Sequence, residues 1–189
     1  EGKISFDGED VTDESTDKRA RRGLYLSFQT PYEIPGISVE NFIRQALLAR
    51  GEKTSIVKFK KALEKKMELL DMKPEYASRY LNVGFSGGER KKTEILQLLM
   101  LDPKLAILDE TDSGLDVDAV ATVSRGLKEY LDGEKSAIII THHREILKEI
   151  HPDFVHVINN GRIVTEGGDE IIDRIEEEGF GWIKDEQHA

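Results

Sequence analysis

The sequence predicts an α/β fold, a mainly parallel sheet with a helical subdomain inserted into it, and three observations carry that reading. "KLAILD" (Lys104 to Asp109), a helical stripe of Val120, Val123, Leu127 and Leu131, and "SAIIIT" (Ser136 to Thr141) follow one another as strand, helix and strand. Continuous apolar runs joined through a helix read as parallel strands buried on both faces. Upstream, "GLYLSFQTP" (Gly23 to Pro31) is a further apolar strand, halted by proline, and the stretch from there to Tyr80 reads as mainly helical.

Taken in order, "GKISF" alternates as a half-buried strand over Lys3 to Phe6 and turns at Asp7-Gly8. "VENFIRQALLAR" (Val39 to Arg50) is an amphipathic helix, and Ile56, Phe59, Leu63, Met67 and Leu70 recur at helical spacings in a second one. After the βαβ unit, "FVHVINNGRIVTEG" reads as a hairpin about Asn160-Gly161, and Asp169 to Glu178 as a charged amphipathic helix ending at Gly179. There is no repeat or low-complexity linker. The expectation is one domain over residues 1–189, with a core lobe from 1–30 and 101–189 and a helical subdomain from 31–100.

Composition narrows the function. With 27 basic and 37 acidic residues the formal charge is −10, which argues against nucleic acid as the main partner. The basic clusters "DKRARR" (Asp17 to Arg22) and "KFKKALEKK" (Lys58 to Lys66) read as solvated helix faces. No apolar run approaches the roughly 20 residues of a membrane span. The sequence has no cysteine, so it forms no disulfide and offers no thiolate to an iron–sulfur cluster. No signal or transit segment is read before Glu1, and the chain reads as beginning inside a domain.

The stretch "FSGGERKKTEILQ" (Phe85 to Gln97) opens a helix with two glycines. Ser86-Gly87-Gly88-Glu89 satisfies a capping box, which accounts for Ser86 and Glu89 but not for Gly87 and Gly88. Glycine is needed where another group must approach the backbone, and bare amides at a helix N-terminus suit a phosphate. Both readings, capped helix and phosphate contact, are open on this stretch alone. Downstream, "LAILDETDSGLD" ends a strand in two acids. In an open α/β sheet the ligand crevice lies at the carboxyl ends of the strands. Asp109 is then placed to hold Mg²⁺ through hard oxygen, and Glu110 to orient or deprotonate a water. If the strands are neighbours, His142 converges on this pair. Gln29 is either a further ligand for Mg²⁺ or water, or an ordinary strand-end glutamine.

Together these residues resemble the ATP-binding-cassette ATPases. "FSGGE" resembles the signature motif, "LAILDE" the Walker B strand, "SGLD" (Ser113 to Asp116) the D-loop, His142 the switch histidine and Gln29 the Q-loop. Transport cassettes typically read LSGGQ and LDEP; here Glu89 and Thr111 stand instead. "FQTPYEIPGISVENFIRQA" and "EEEGFGWIKDEQ" are similar to one branch, the SufC ATPases of SUF iron–sulfur cluster assembly. The resemblance implies an α/β cassette fold with a helical signature subdomain, ATP and Mg²⁺ as ligands, and a cytoplasmic location. It further implies SufB- and SufD-like scaffold partners and a transient head-to-tail dimer with another such cassette. It also implies nucleotide contacts by Gln29 and, across that dimer, by Ser86, Gly87, Gly88, Glu89 and Asp116. Glu110 and His142 are the implied catalytic residues; Asp109 and Gln29 are the implied metal ligands.

One departure stands out: the 189 residues contain no G-x-x-x-x-G-K-[ST] phosphate loop. The family places it ahead of the strand that "GKISFDGEDVT" resembles, so the chain reads as N-terminally truncated. The expectations are poor ATP binding by this chain alone and a sheet with an unpaired edge. Alternative readings are a transporter's nucleotide-binding subunit and a non-catalytic docking module. A coiled-coil chromosome ATPase is excluded by the short segment between Gln29 and Ser86.

Overall fold

The computed structural model describes residues 2–141, 145–148 and 150–182. They form two compact units, Glu1–Ile146 and Leu147–Ala189. The first contains β1 (Ser5–Phe6), β2 (Glu9–Asp10), α1 (Thr16–Arg22), β3 (Leu24–Leu26), β4 (Ile34–Ser38), α2 (Val39–Ala49) and α3 (Ile56–Leu69). There follow a 3₁₀ turn (Pro74–Ser78), β5 (Tyr80–Leu81), α4 (Gly87–Leu101), β6 (Leu105–Asp109), α5 (Val117–Leu131) and β7 (Ser136–Ile140). The second contains β8 (Val155–Asn159), β9 (Arg162–Gly167) and α6 (Glu170–Glu178).

The sheet that matters is parallel, in the order β3-β6-β7. β6 is its centre, and Ala106 and Leu108 are fully buried there. Two-sided burial does not extend to β7. Among the described residues it bonds only to β6, and Ile138 and Ile140 stay half exposed because that face of the edge strand is uncovered. Register is anchored at the start of β3, where the Gly23 carbonyl accepts from the amides of Lys104 (2.9 Å) and Leu105 (3.1 Å).

The helices follow from their patterns. Ser38 and Ser55 cap α2 and α3 through side-chain bonds from Asn41 and Lys58, each 3.3 Å. The buried faces are Val39, Ile43 and Leu47 in α2, and Phe59, Leu63 and Met67 in α3; Ile56, in the first turn, is exposed. The stretch to Tyr80 is not wholly helical: Ile34–Ser38 pairs antiparallel with β5 across a register shift. Pro35 and Gly36 hide that strand from any period-two pattern. The "DKRARR" cluster is α1, with Arg22 gripping Glu14 through two bonds of 2.7 and 2.8 Å.

α4 packs on α5, and Ile95, Leu96 and Leu99 of α4 and Val120, Val123 and Leu127 of α5 are buried. Gly126 permits the approach, since a Cβ there would lie 2.5 Å from Ile95 Cγ2 and 2.8 Å from Leu70 Cδ2. Tyr130 ties α5 to the sheet, donating to the carbonyls of Pro103 (3.1 Å) and Ser136 (3.2 Å) ahead of β6 and at the start of β7. In the second unit Asn160 (φ 47°) and Gly161 (φ 74°) make the primed turn that "NNG" forecast. Val157, Ile171 and Trp182 form that unit's core, with the Arg174 guanidinium 3.8 Å from the Trp182 ring centre.

Two outcomes test this packing. Gly126→Ala overpacks the α4–α5 contact and costs about 1–3 kcal/mol in chemical denaturation. Burial, aided by Asp102, pushes the Tyr130 hydroxyl from 10.0 up to about 12. The folded chain therefore retains that proton where the unfolded chain loses it. Its contribution to stability is complete below pH 10.0 and is lost as pH rises towards 12. Tyr130→Phe, by urea melts at stepped pH, lowers neutral stability by about 1–2 kcal/mol and flattens this alkaline decline relative to the parent.

Candidate functional site

Because β3, β6 and β7 run parallel, their carboxyl ends share one edge, and the residues expected to act lie there or just beyond it. Asp109 ends β6, opposite Ile140 of β7. Its amide donates to Ser27 Oγ at 3.0 Å, and the Ser27 amide continues the ladder to the Ile107 carbonyl at 2.9 Å. Glu110 then turns the chain in the left-handed region (φ 46°), its amide bonded to the Ile140 carbonyl at 2.9 Å. Such a φ is uncommon for a residue with a side chain and costs of order 1 kcal/mol, so an extended strand has been given up for a specific aim of the carboxylate. That carboxylate meets Gln29: Nε2 donates to Glu110 Oε2 at 2.8 Å, across 81 residues of sequence.

Gln29 is held from behind by α4. Lys91 and Glu94, with side chains only 6% and 5% exposed, pair at 3.3 Å beneath the end of β3. Burial pushes the Glu94 carboxyl up from its ordinary range and Lys91 works against that. Beyond Glu110, Thr111 and Asp112 are buried, and Asp112 Oδ2 accepts from the Thr141 hydroxyl at 2.7 Å. That bond ties the turn after β6 to the end of β7. His142, expected to join this edge, lies outside the described residues.

The capped glycines open α4, just ahead of Lys91. Ser86 Oγ accepts from the Glu89 amide at 3.3 Å, and Glu89 Oε2 accepts from the Ser86 amide at 2.7 Å, the reciprocal box that the spacing predicts. Glu89 Oε1 also accepts from the Tyr76 hydroxyl, and this bond, with the Ser86 amide, holds its carboxyl below the usual range. Tyr76 meets Phe85 edge-on at 5.0 Å, and the Arg79 guanidinium lies 4.7 and 4.5 Å from the two ring centres. Among the described residues nothing requires glycine at residue 87, where an added Cβ meets nothing within 4 Å; at Gly88 it meets Ala119 Cβ at an ordinary 3.7 Å. Ser86, Gly88, Glu89, Lys92, Tyr76 and Asp116 line one cleft of about 330 Å³. Asp116 caps α5 there, accepting from the Ala119 amide at 2.8 Å.

Two groups of expected residues are thus assembled, Gln29 with Asp109 and Glu110, and Ser86, Gly88 and Glu89 with Asp116. Sequence reasoning missed Ser27, Tyr76, Arg79, Glu94 and Asp112, whose work is to position the others. The Glu94 and Lys91 signal was present, as two charges on the inner face of a helix. Among the described residues no three His, Asp or Glu side chains converge as a metal cage. Asp109, the last residue of β6, and Gln29, just beyond β3, instead offer a carboxylate and a side-chain amide as hard-oxygen donors. That incomplete hard-oxygen set fits Mg²⁺, which keeps several waters and phosphate oxygens in its shell.

Among the described residues no helix is long and apolar enough to cross a membrane. The family model described as ABC transporter matches residues 1–113. "Vegetative protein 296" of Bacillus subtilis is 48% identical over 188 residues, 98% of this chain and 72% of that protein. A "Probable ABC transporter ATP-binding protein" of Streptococcus pyogenes is 50% identical over 97% of this chain and 73% of its own length. The "Probable ATP-dependent transporter SufC" of Escherichia coli is 44% identical over 98% of this chain and 77% of its own length. In fold, the chain superposes on a post-hydrolysis dimeric ATP-binding cassette bound to ADP and Pi with TM-score 0.75 at 17% identity, over 89% of this chain and 73% of that one. A structure of the ATP-binding subunit of an ABC transporter gives TM-score 0.75 at 23% identity, over 100% and 77%. The chain belongs to the ABC transporter family of ATP-binding cassettes and within it is similar to SufC.

Proposed function

We propose that this chain is the ATPase component of an iron–sulfur cluster assembly machine of the SUF type. In this reading it works in the cytoplasm and dimerises transiently, head to tail, with a second cassette on SufB- and SufD-like scaffold subunits. The observation that carries the catalytic part is the 2.8 Å bond from Gln29 to Glu110 at the end of adjacent parallel strands. Similarity to SufC, with Glu89 and Thr111 where transport cassettes typically have glutamine and proline, supports the assembly role.

Each residue then has a physical task. Glu110 orients and deprotonates the attacking water, its carboxylate held by the Gln29 amide and by the left-handed turn. Asp109 and Gln29 would hold Mg²⁺, which supplies neutralisation of phosphate charge. Ser86, Gly87 and Gly88 present a hydroxyl, unobstructed amides and the positive end of α4 to the terminal phosphate bound in the opposing cassette. Glu89 keeps that end closed through the cap, and Asp116 stands beside it. His142 would contact the same phosphate. The driven event is conformational change in the scaffold, since this chain has no cysteine to carry a cluster.

A second reading, the nucleotide-binding subunit of a membrane transporter, is favoured by the name of the Streptococcus pyogenes relative. Affinity purification separates the two. Recovery of soluble scaffold subunits supports the SUF reading, and recovery of an integral membrane permease replaces it.

The catalytic assignment is tested by Glu110→Gln in the assembled cassette complex. Turnover of ATP falls by at least about 100-fold while ATP affinity stays within about twofold; an unchanged kcat sinks the assignment. Calorimetric titration of Mg-ATP into the 189-residue chain alone shows no micromolar binding, because no phosphate loop stands among these residues. Micromolar binding would mean that another segment cradles the phosphates.

A further inference from the structure

We propose that Glu94 is a positioning residue: with Lys91 it clamps the end of β3 to α4 and thereby sets where the Gln29 side chain meets Glu110. This rests on the reading of Gln29 and Glu110 given above. The sheet ladder stops supporting β3 at Ser27, whose amide makes the last bond to β6. The next backbone groups are taken up by α4 instead. Glu94 Oε1 accepts from the Phe28 amide at 3.0 Å, and Lys91 Nζ donates to the carbonyls of Phe28 (3.2 Å) and Gln29 (3.1 Å).

An exposed pair one turn apart contributes little to stability, and a buried one is commonly no better than an apolar pair of the same volume. What an apolar pair cannot do is bond three backbone groups at a strand end. The Tyr25 hydroxyl, donating to the Glu94 carbonyl at 3.0 Å, fixes the height of α4 against β3. The helix that begins at the capped Ser86 is thus pinned to the residue before Gln29 and to Gln29 itself, and displacement of α4 along β3 must displace the Gln29 amide from Glu110. Two bonded networks joined through one rigid helix are the physical form such coupling takes.

The test uses the ¹⁵N-labelled full chain, reading the Gln29 side-chain amide resonances and the exchange rate of the Phe28 amide. Truncating Glu94 alone leaves Lys91 buried and unpaired, so the main variant is Lys91→Met/Glu94→Leu, which keeps the volume and removes both charges. Expected there is Phe28 exchange faster by at least about tenfold, with the Gln29 amide shifted to its position in Glu110→Ala. Glu94→Gln, which still offers an acceptor, retains the Phe28 protection. Thr93→Val, a buried change on the same helix whose hydroxyl bonds the Glu89 carbonyl, leaves both signals as in the parent.

A folded double variant with unchanged Phe28 and Gln29 signals overturns the proposal, as does a Thr93→Val spectrum that shifts in the same way. In the assembled complex the double variant lowers kcat by about 10²-fold with KM for ATP within about twofold. Absence of turnover in the parent complex would overturn the ATPase reading while the resonance measurements still decide the clamp.

Discussion

The structure depends on the parallel pairing of β6 with β3 on one side and β7 on the other. Parallel strands bring their carboxyl ends to a single edge, and only there can residues 81 positions apart, such as Gln29 and Glu110, form a 2.8 Å bond. The pairing also determines where regular structure must end. Asp109 completes β6, and the very next residue enters the left-handed region with its amide still bonded to β7. A strand that continued would carry the Glu110 carboxylate along the sheet instead of out towards the edge.

The helical layer then decides how firmly that edge is held. α4 lies close to α5 because Gly126 lacks a side chain, and it lies over β3 because Tyr25, Lys91 and Glu94 bond across the contact. The same helix starts at Ser86, so its N-terminal amides and its buried charges belong to one rigid rod. Its start is itself buttressed: Tyr76, Phe85 and Arg79 stack beside the cap, and the Tyr76 hydroxyl orients Glu89. Gly87, in contrast, has open space where a side chain would be. The phosphate contact proposed for this helix start needs such unobstructed backbone amides.

Much of this was legible in the sequence because local physics sets it. Ser86 and Glu89 form the reciprocal cap at a spacing that only a helix start makes useful. "KLAILD" and "SAIIIT" are neighbouring parallel strands, as their apolar runs and the helix between them require. Asn160-Gly161 turns a hairpin because both positions demand a positive φ that these residues tolerate. The β4 strand was hidden by Pro35 and Gly36, and the half-exposed face of β7 by the fact that "III" reads as buried whether or not anything covers it.

The sequence by itself carried the resemblance to the cassette family, most of the order of its elements, the cap formed by Ser86 and Glu89, and Gln29, Asp109 and Glu110 as candidates, since caps, apolar runs and turns are set by neighbours along the chain. Tertiary structure alone decided which of them meet. That Gln29 bonds Glu110, that Lys91 and Glu94 face inward to hold Phe28 and Gln29, and that the Tyr76 hydroxyl bonds Glu89 are facts of the folded chain. A buried charge is tolerated only when packing elsewhere supplies its partners, and no local pattern along the chain encodes where those partners lie.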